Sequence, residues 1–164
     1  MGESYTKGDR ILVLENIRSA HNVGAIFRTA EAAGIREIIL VGYTPSPHDR
    51  FGRVVPEIAK TALGAEVLVP YRTFSKTSEA IEYINNSKIK LVVVEQTSRS
   101  KPLFTYNVPS APLAFALGNE VDGVSDLMCQ QAEDHIELPM AGQKESLNVA
   151  VCAGVVSYFI LYKS

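Results

Sequence analysis

The sequence predicts an α/β domain with a parallel or mostly parallel sheet. Three observations predict it. Short apolar runs alternate with segments of helical period. Several of those runs, Leu91 to Val94 and Leu113 to Leu117 among them, are continuously apolar, as strands covered on both faces must be. The joints between runs carry Gly, Pro, Asn and Ser. The chain has 164 residues, 46% hydrophobic and 21% charged, a globular composition of about one domain. We read residues 1–164 as one domain, with no internal repeat, linker or second domain.

The elements follow in order. Ile11 to Leu14 is a strand. Asn22 to Ala33 is a helix stopped by Gly34. Ile38 to Val41 is a strand ending at Gly42. Tyr43 to Arg53, with Pro45, Pro47 and Gly52, is a loop. Val54 to Leu63 is a short helix whose Pro56 suits a first turn. Val67 to Val69 reads as a brief strand and Ser75 to Asn86 as an amphipathic helix. Leu91 to Val94 and Leu113 to Leu117 are strands, Ser125 to Ala132 a helix, and His135 to Leu138 a strand. Ser146 to Tyr162 is a final helix. That helix is apolar nearly all round, which predicts burial on more than one side, one of them against a second subunit.

Charge excludes some functions. Sixteen Lys and Arg against eighteen Asp and Glu give a net charge of −2, so nucleic-acid affinity must come from a local patch or a dimer groove. Two cysteines, Cys129 and Cys152, make neither a disulfide framework nor a zinc site, and fit reduced thiols in a cytosolic protein. The polar amino terminus is no secretory leader, and the loose acylation pattern at Gly2 and Thr6 is taken as chance. The apolar run Val149 to Tyr162 is too short to cross a membrane. No group of residues has metal-ligand spacing.

Three strand-to-helix connections carry residues suited to chemistry. All fall on one edge of the sheet, where open α/β sheets bind ligands. The first, Asn16 to Thr29, gathers Asn16, Arg18, Asn22 and Arg28, and contains His21. Arg28 is suited to phosphate contact and to stabilising developing negative charge. Gly24, four residues before it, would leave space beside the guanidinium. Asn22 is also a plausible helix cap. The second, Gly118-Asn119-Glu120-Val121-Asp122-Gly123, brackets two carboxylates with glycines. The third, Leu138 to Val149, includes Ser146, which reads as a helix cap, and Asn148. A dinucleotide-binding glycine fingerprint and a Walker-type loop are both absent, which speaks against a nucleotide-dependent oxidoreductase.

These three segments, in this order and spacing, resemble the three motifs of the SpoU (TrmH-like) family of RNA ribose 2′-O-methyltransferases, in the SPOUT class. The resemblance implies S-adenosylmethionine bound in a carboxyl-terminal deep trefoil knot, and a homodimer joined through the last helix. General rules of chain connection would not have suggested a knot. It also implies catalytic roles for Arg28, Asn22, Glu120, Ser146 and Asn148. Cofactor contacts fall at Gln96, Thr97, Gly118, Leu138, Met140 and Leu147. The expected reaction is methyl transfer to a ribose 2′-hydroxyl of tRNA or rRNA, and the alternative is an inactive RNA-binding module of the same fold. An arginine is effectively always charged. The role that fits Arg28 is therefore to hold a phosphate and stabilise the developing alkoxide, with Asn22, Ser146 and Asn148 orienting it. RNA contacts are expected from Arg18, Arg50, Arg53 and Lys60, and further from Arg10.

Overall fold

The computed structural model describes residues 10–163. The polar amino terminus and the pattern at Gly2 lie outside them.

The strands are β1 (Arg10–Glu15), β2 (Glu37–Val41), β3 (Tyr71–Phe74), β4 (Lys90–Val94), β5 (Lys101–Pro102), β6 (Leu113–Leu117) and β7 (Asp134–Glu137). They form one sheet in the order β3-β2-β1-β6-β4-β7-β5, and every ladder is parallel. Alternate residues of each strand face opposite sides, and both sides are covered. Leu12, Leu14, Ile38, Leu40, Phe115 and Leu117 join the core beneath helices α1 (Ala20–Ala32), α2 (Pro56–Ala62) and α6 (Val149–Lys163). Ile11, Val13, Ile39, Val41, Val93 and Ala116 pack with α4 (Thr77–Asn86) and α5 (Asp126–Gln131) on the other. This double burial is why the strand sequences read as unbroken apolar runs.

The structure moves several sequence-based boundaries. The strand expected at Val67 to Val69 is replaced by a helical turn, α3 (Ala65–Leu68), and the edge strand is Tyr71–Phe74. Gly64 at φ 92° restarts the chain as a helix, and β2 pairs with the next extended residues, Ile38 facing Tyr71. The two-residue strand β5 was not expected. The last helix starts at Val149, not Ser146. Its cap is Asn148, whose Oδ1 accepts from the N–H groups of Ala150 at 2.9 Å and Val151 at 3.4 Å. Asn22 is not a cap either: α1 starts at Ala20, and the Ser19 hydroxyl accepts from the Asn22 N–H. Among the described residues no helix is long and apolar enough to cross a membrane.

Arg10 lies at the amino end of β1, on the edge opposite the three connections. Its guanidinium donates to the carbonyls of Ala111 and Pro109, both at 2.8 Å. It anchors the loop before β6.

Candidate active site

The carboxyl ends of β4, β6 and β7, with the start of α6, surround a cavity of about 310 Å³. That is the size of a small-molecule site. Val94, Leu117, Leu138 and Val149 give it apolar walls, and Glu95, Glu120, Glu137 and Glu145 give it carboxylates.

The first two connections are cross-bonded. Asn119, only 7% exposed, is the centre. Its Nδ2 donates to the Asn16 carbonyl at 2.9 Å and to the Tyr43 hydroxyl at 2.7 Å. Its Oδ1 accepts from the N–H groups of Val121 and Asp122, both at 2.8 Å, and so shapes the turn. Asn16 has a positive φ of 54°, and its Oδ1 accepts from the Tyr43 N–H at 3.3 Å. The backbone pair Asn119–Gly123 closes the turn. A Cβ on Gly118 would collide with Gly123 and Val124, so only glycine allows the loop to fold back.

The Glu120 carboxylate joins the two connections from the other side. It accepts from the N–H groups of Arg18 at 3.1 Å and Ser19 at 3.3 Å, and from Asn22 Nδ2 at 3.4 Å. Burial works to raise its pKa. The donated hydrogen bonds outweigh burial and hold the carboxyl below its ordinary value. Glu95 supports the floor, accepting from the Val124 N–H at 2.8 Å and the Gln96 N–H at 2.9 Å.

The third connection returns across these two. Gln96 Nε2 donates to the Glu145 carbonyl at 2.8 Å, and Asn148 Nδ2 donates to Asn22 Oδ1 at 3.3 Å. All three connections therefore meet at one site. Cys152 lines its base. Burial, and then the Glu95 carboxylate, push the Cys152 thiol up to about 11.

Gln96, Gly118, Leu138, Met140 and Leu147 line the cavity, as do Glu120 and Ser146. Asn22 and Asn148 hydrogen-bond each other beside it. Four residues depart from expectation. Thr97 lies outside the lining, with its hydroxyl bonded to His135 Nδ1 at 2.7 Å and Ser100 Oγ at 3.1 Å. His135, read from the sequence only as a strand residue, is buried, and its Nε2 reaches the Cys129 carbonyl at 2.9 Å. It braces the turn after β4. His21 is exposed and does not line the cavity.

Arg28 is the fourth. It is exposed and outside the lining, and among the described residues its guanidinium has no hydrogen-bond or ion-pair partner. Asn22, Ser146 and Asn148 therefore do not orient it within this chain. Nor does Gly24 leave room beside it: a Cβ there would strike the Ile58 carbonyl and the Thr61 hydroxyl. The missing side chain lets α1 pack closely on α2. Arg18, Arg50, Arg53 and Lys60 are exposed. Sequence reasoning missed Asn119, Tyr43 and Glu95. Asn119 lies inside a quoted motif, but a Gly-Asn pair reads as an ordinary turn.

Residues 9–158 match the family model described as the SpoU rRNA Methylase family. The chain is 30% identical over 154 residues to the 23S rRNA (guanosine-2′-O-)-methyltransferase RlmB of Neisseria meningitidis, spanning 94% of this chain and 58% of that protein. It superposes with TM-score 0.84 at 27% identity on an AdoMet-bound rRNA methyltransferase from Sinorhizobium meliloti, covering 93% of this chain and 56% of that one. It matches the fold of the TrmH/SpoU tRNA modifying enzyme of A. aeolicus with TM-score 0.80 at 22% identity, covering 94% and 75%. The chain thus spans a little over half the length of the first two proteins.

Proposed function

Because this chain belongs to the SpoU rRNA methylase family, we propose that it transfers a methyl group from S-adenosylmethionine to a ribose 2′-hydroxyl of rRNA or tRNA. The single observation that carries this reading is one cavity of about 310 Å³ lined by the second and third motif connections, with the first hydrogen-bonded to them through Glu120 and Asn148.

The cavity suits the cofactor. Leu117, Leu138 and Val149 offer apolar walls to an adenine, and Glu95, Glu120, Glu137 and Glu145 offer negative charge to a sulfonium and an ammonium. Gln96, Gly118, Leu138, Met140 and Leu147 would hold it. When bound, the sulfonium supplies an activated methyl group, so the chain's own work is positioning and charge control. Asn119 and Glu120 fix the first connection against the second. Asn22 and Asn148 set the start of α6 against α1. Arg28 holds the target phosphate and stabilises the oxygen as it loses its proton to a phosphate oxygen or water.

Since Arg28 does not line the cavity of its own chain, the reading includes a homodimer through α6. Val151, Tyr158 and Tyr162 on that helix are 53%, 40% and 70% exposed, an apolar face in need of a cover. The trefoil knot belongs to the same reading. It is supported by β4 lying between β6 and β7 in the sheet while preceding both in the chain, and by the return of the third connection over Gln96. Two free cysteines fit a cytosolic enzyme.

The test is incubation with methyl-labelled S-adenosylmethionine and bulk rRNA and tRNA, followed by digestion to nucleosides. Label in 2′-O-methylnucleosides is the expected result. Label in a base, or none, rejects the reading.

A further inference from the structure

The loop between β2 and α2, from which RNA contacts by Arg50 and Arg53 are expected, carries a further feature that this expectation does not include. His48 and Val54 pair as an antiparallel bridge, which makes residues 48–54 a small hairpin. Asp49 builds its tip. The Asp49 N–H donates to the Arg53 carbonyl at 2.8 Å, and the Gly52 N–H donates to the Asp49 carbonyl at 2.9 Å. Asp49 Oδ1 accepts from the N–H groups of Phe51 at 2.8 Å and Arg53 at 3.0 Å. Gly52 supplies the positive φ of 76° that the turn requires. The base is pinned by the Val55 N–H on the Pro47 carbonyl at 2.9 Å and by His48 Nδ1 beside the Tyr71 hydroxyl at 3.3 Å.

The tip presents Phe51, 66% exposed. Two guanidiniums flank its ring, Arg50 at 4.7 Å and Arg53 at 5.0 Å from the centroid. They are held differently. Arg53 Nε is fixed to Asp49 Oδ2 at 2.8 Å. Among the described residues Arg50 has only the ring. An exposed aromatic on a pre-ordered turn, with one fixed and one free cation beside it, has the chemistry of a single-stranded nucleic-acid platform. The π-face takes a base, and the free cation takes a phosphate. Ordering the turn beforehand lowers the entropy lost on binding.

We propose that Phe51 is a stacking platform for an unpaired RNA base, an inference that rests on the reading of this chain as an RNA methyltransferase. The base replaces the Arg50 guanidinium on the ring, and that guanidinium turns to the adjoining phosphate. Arg53 stays with Asp49 and keeps the ring in place. A duplex cannot use the site, because its bases are already stacked inside the helix.

The experiment measures fluorescence anisotropy of a labelled single-stranded RNA of about a dozen nucleotides, and of the same sequence as a duplex, with the full chain and two variants. Phe51→Ala is expected to weaken single-strand binding by about five- to a hundredfold and to change duplex binding less than about twofold. Phe51→Trp is expected to restore the single-strand affinity. Single-strand affinity within about twofold of wild type for Phe51→Ala, equal loss on both RNAs, or no RNA binding by the wild type overturns the platform. A dimer-to-monomer shift with unchanged RNA affinity would assign the ring to a protein contact and also overturn it. Titration of the wild type with S-adenosylhomocysteine tests the parent reading separately. If that ligand binds while Phe51→Ala binds RNA normally, only the platform is lost.

Discussion

The two sides of the cavity are built differently. The joint between the first and second connections is held by Asn119, Asn16, Tyr43 and Glu120 through side-chain hydrogen bonds whose partners lie 27 to 103 residues apart in sequence. The third connection is long, its residues 141–148 are exposed, and Gln96 to Glu145 is its one hydrogen bond between 139 and 147 among the described residues. Backbone with few buried contacts and few hydrogen bonds belongs to the low-stability end of a structure. The bonded wall holds its geometry in advance, and the third connection is held by far fewer contacts.

The largest expected effect comes from a change that touches neither wall. Arg28→Ala should lower methyl transfer by about a hundredfold or more, with S-adenosylhomocysteine affinity and Tm unchanged. A matching loss of affinity would move Arg28 into the cofactor site. Arg28→Lys should stay impaired in the same assay, because an ammonium lacks the planar fork. Activity near wild type would remove the need for that fork.

Breaking the bonded wall should cost stability. Asn119→Ala leaves the N–H groups of Val121 and Asp122 without their acceptor, which costs about 1–3 kcal/mol. Urea unfolding measures it. Gln96→Ala removes the one hydrogen bond that holds residues 139–147 of the other wall among the described residues, at about 1 kcal/mol or less, and its effect should fall on cofactor affinity. Equal stability losses for the two variants would erase the difference between the walls. Hydrogen exchange sharpens it further. Amides of residues 140–147 should exchange faster than those of 119–124 in the free protein, and should slow more when S-adenosylhomocysteine is added.

The smallest effect is one of pH. The Glu120 carboxyl lies below its ordinary value of 4.5 in the folded chain. Its hydrogen bonds therefore contribute stability above that value, and the contribution disappears as pH falls through the lowered one. Melting curves of wild type and Glu120→Gln should differ at pH 6 and approach each other as pH falls below 4.5. A gap that widens in acid would contradict the sign.

The alternation of strands and helices was legible because each strand is buried on both faces, and the three connections because strand-end Asn, Gly, Glu and Arg stand out against apolar runs. Finer placement depends on tertiary contact. Ser146 and Asn148 are both good caps, and only the start of α6 at Val149 chooses between them. Gly24 looked like room for a ligand, but α2 fills it. Val67 to Val69 has strand composition, yet the turn at Gly64 commits it to a helix. Arg28 lies exposed on α1 and outside the cavity of its own chain. No spacing within the motif reveals it.

The central claim is that the second and third connections, braced by the first, form one cofactor site. Calorimetric titration of the full chain with S-adenosylhomocysteine tests it most directly. The account predicts one site per chain, saturating well below millimolar ligand, with affinity weakened in Gln96→Ala. No heat of binding at millimolar ligand, from a protein shown to be folded, would contradict it.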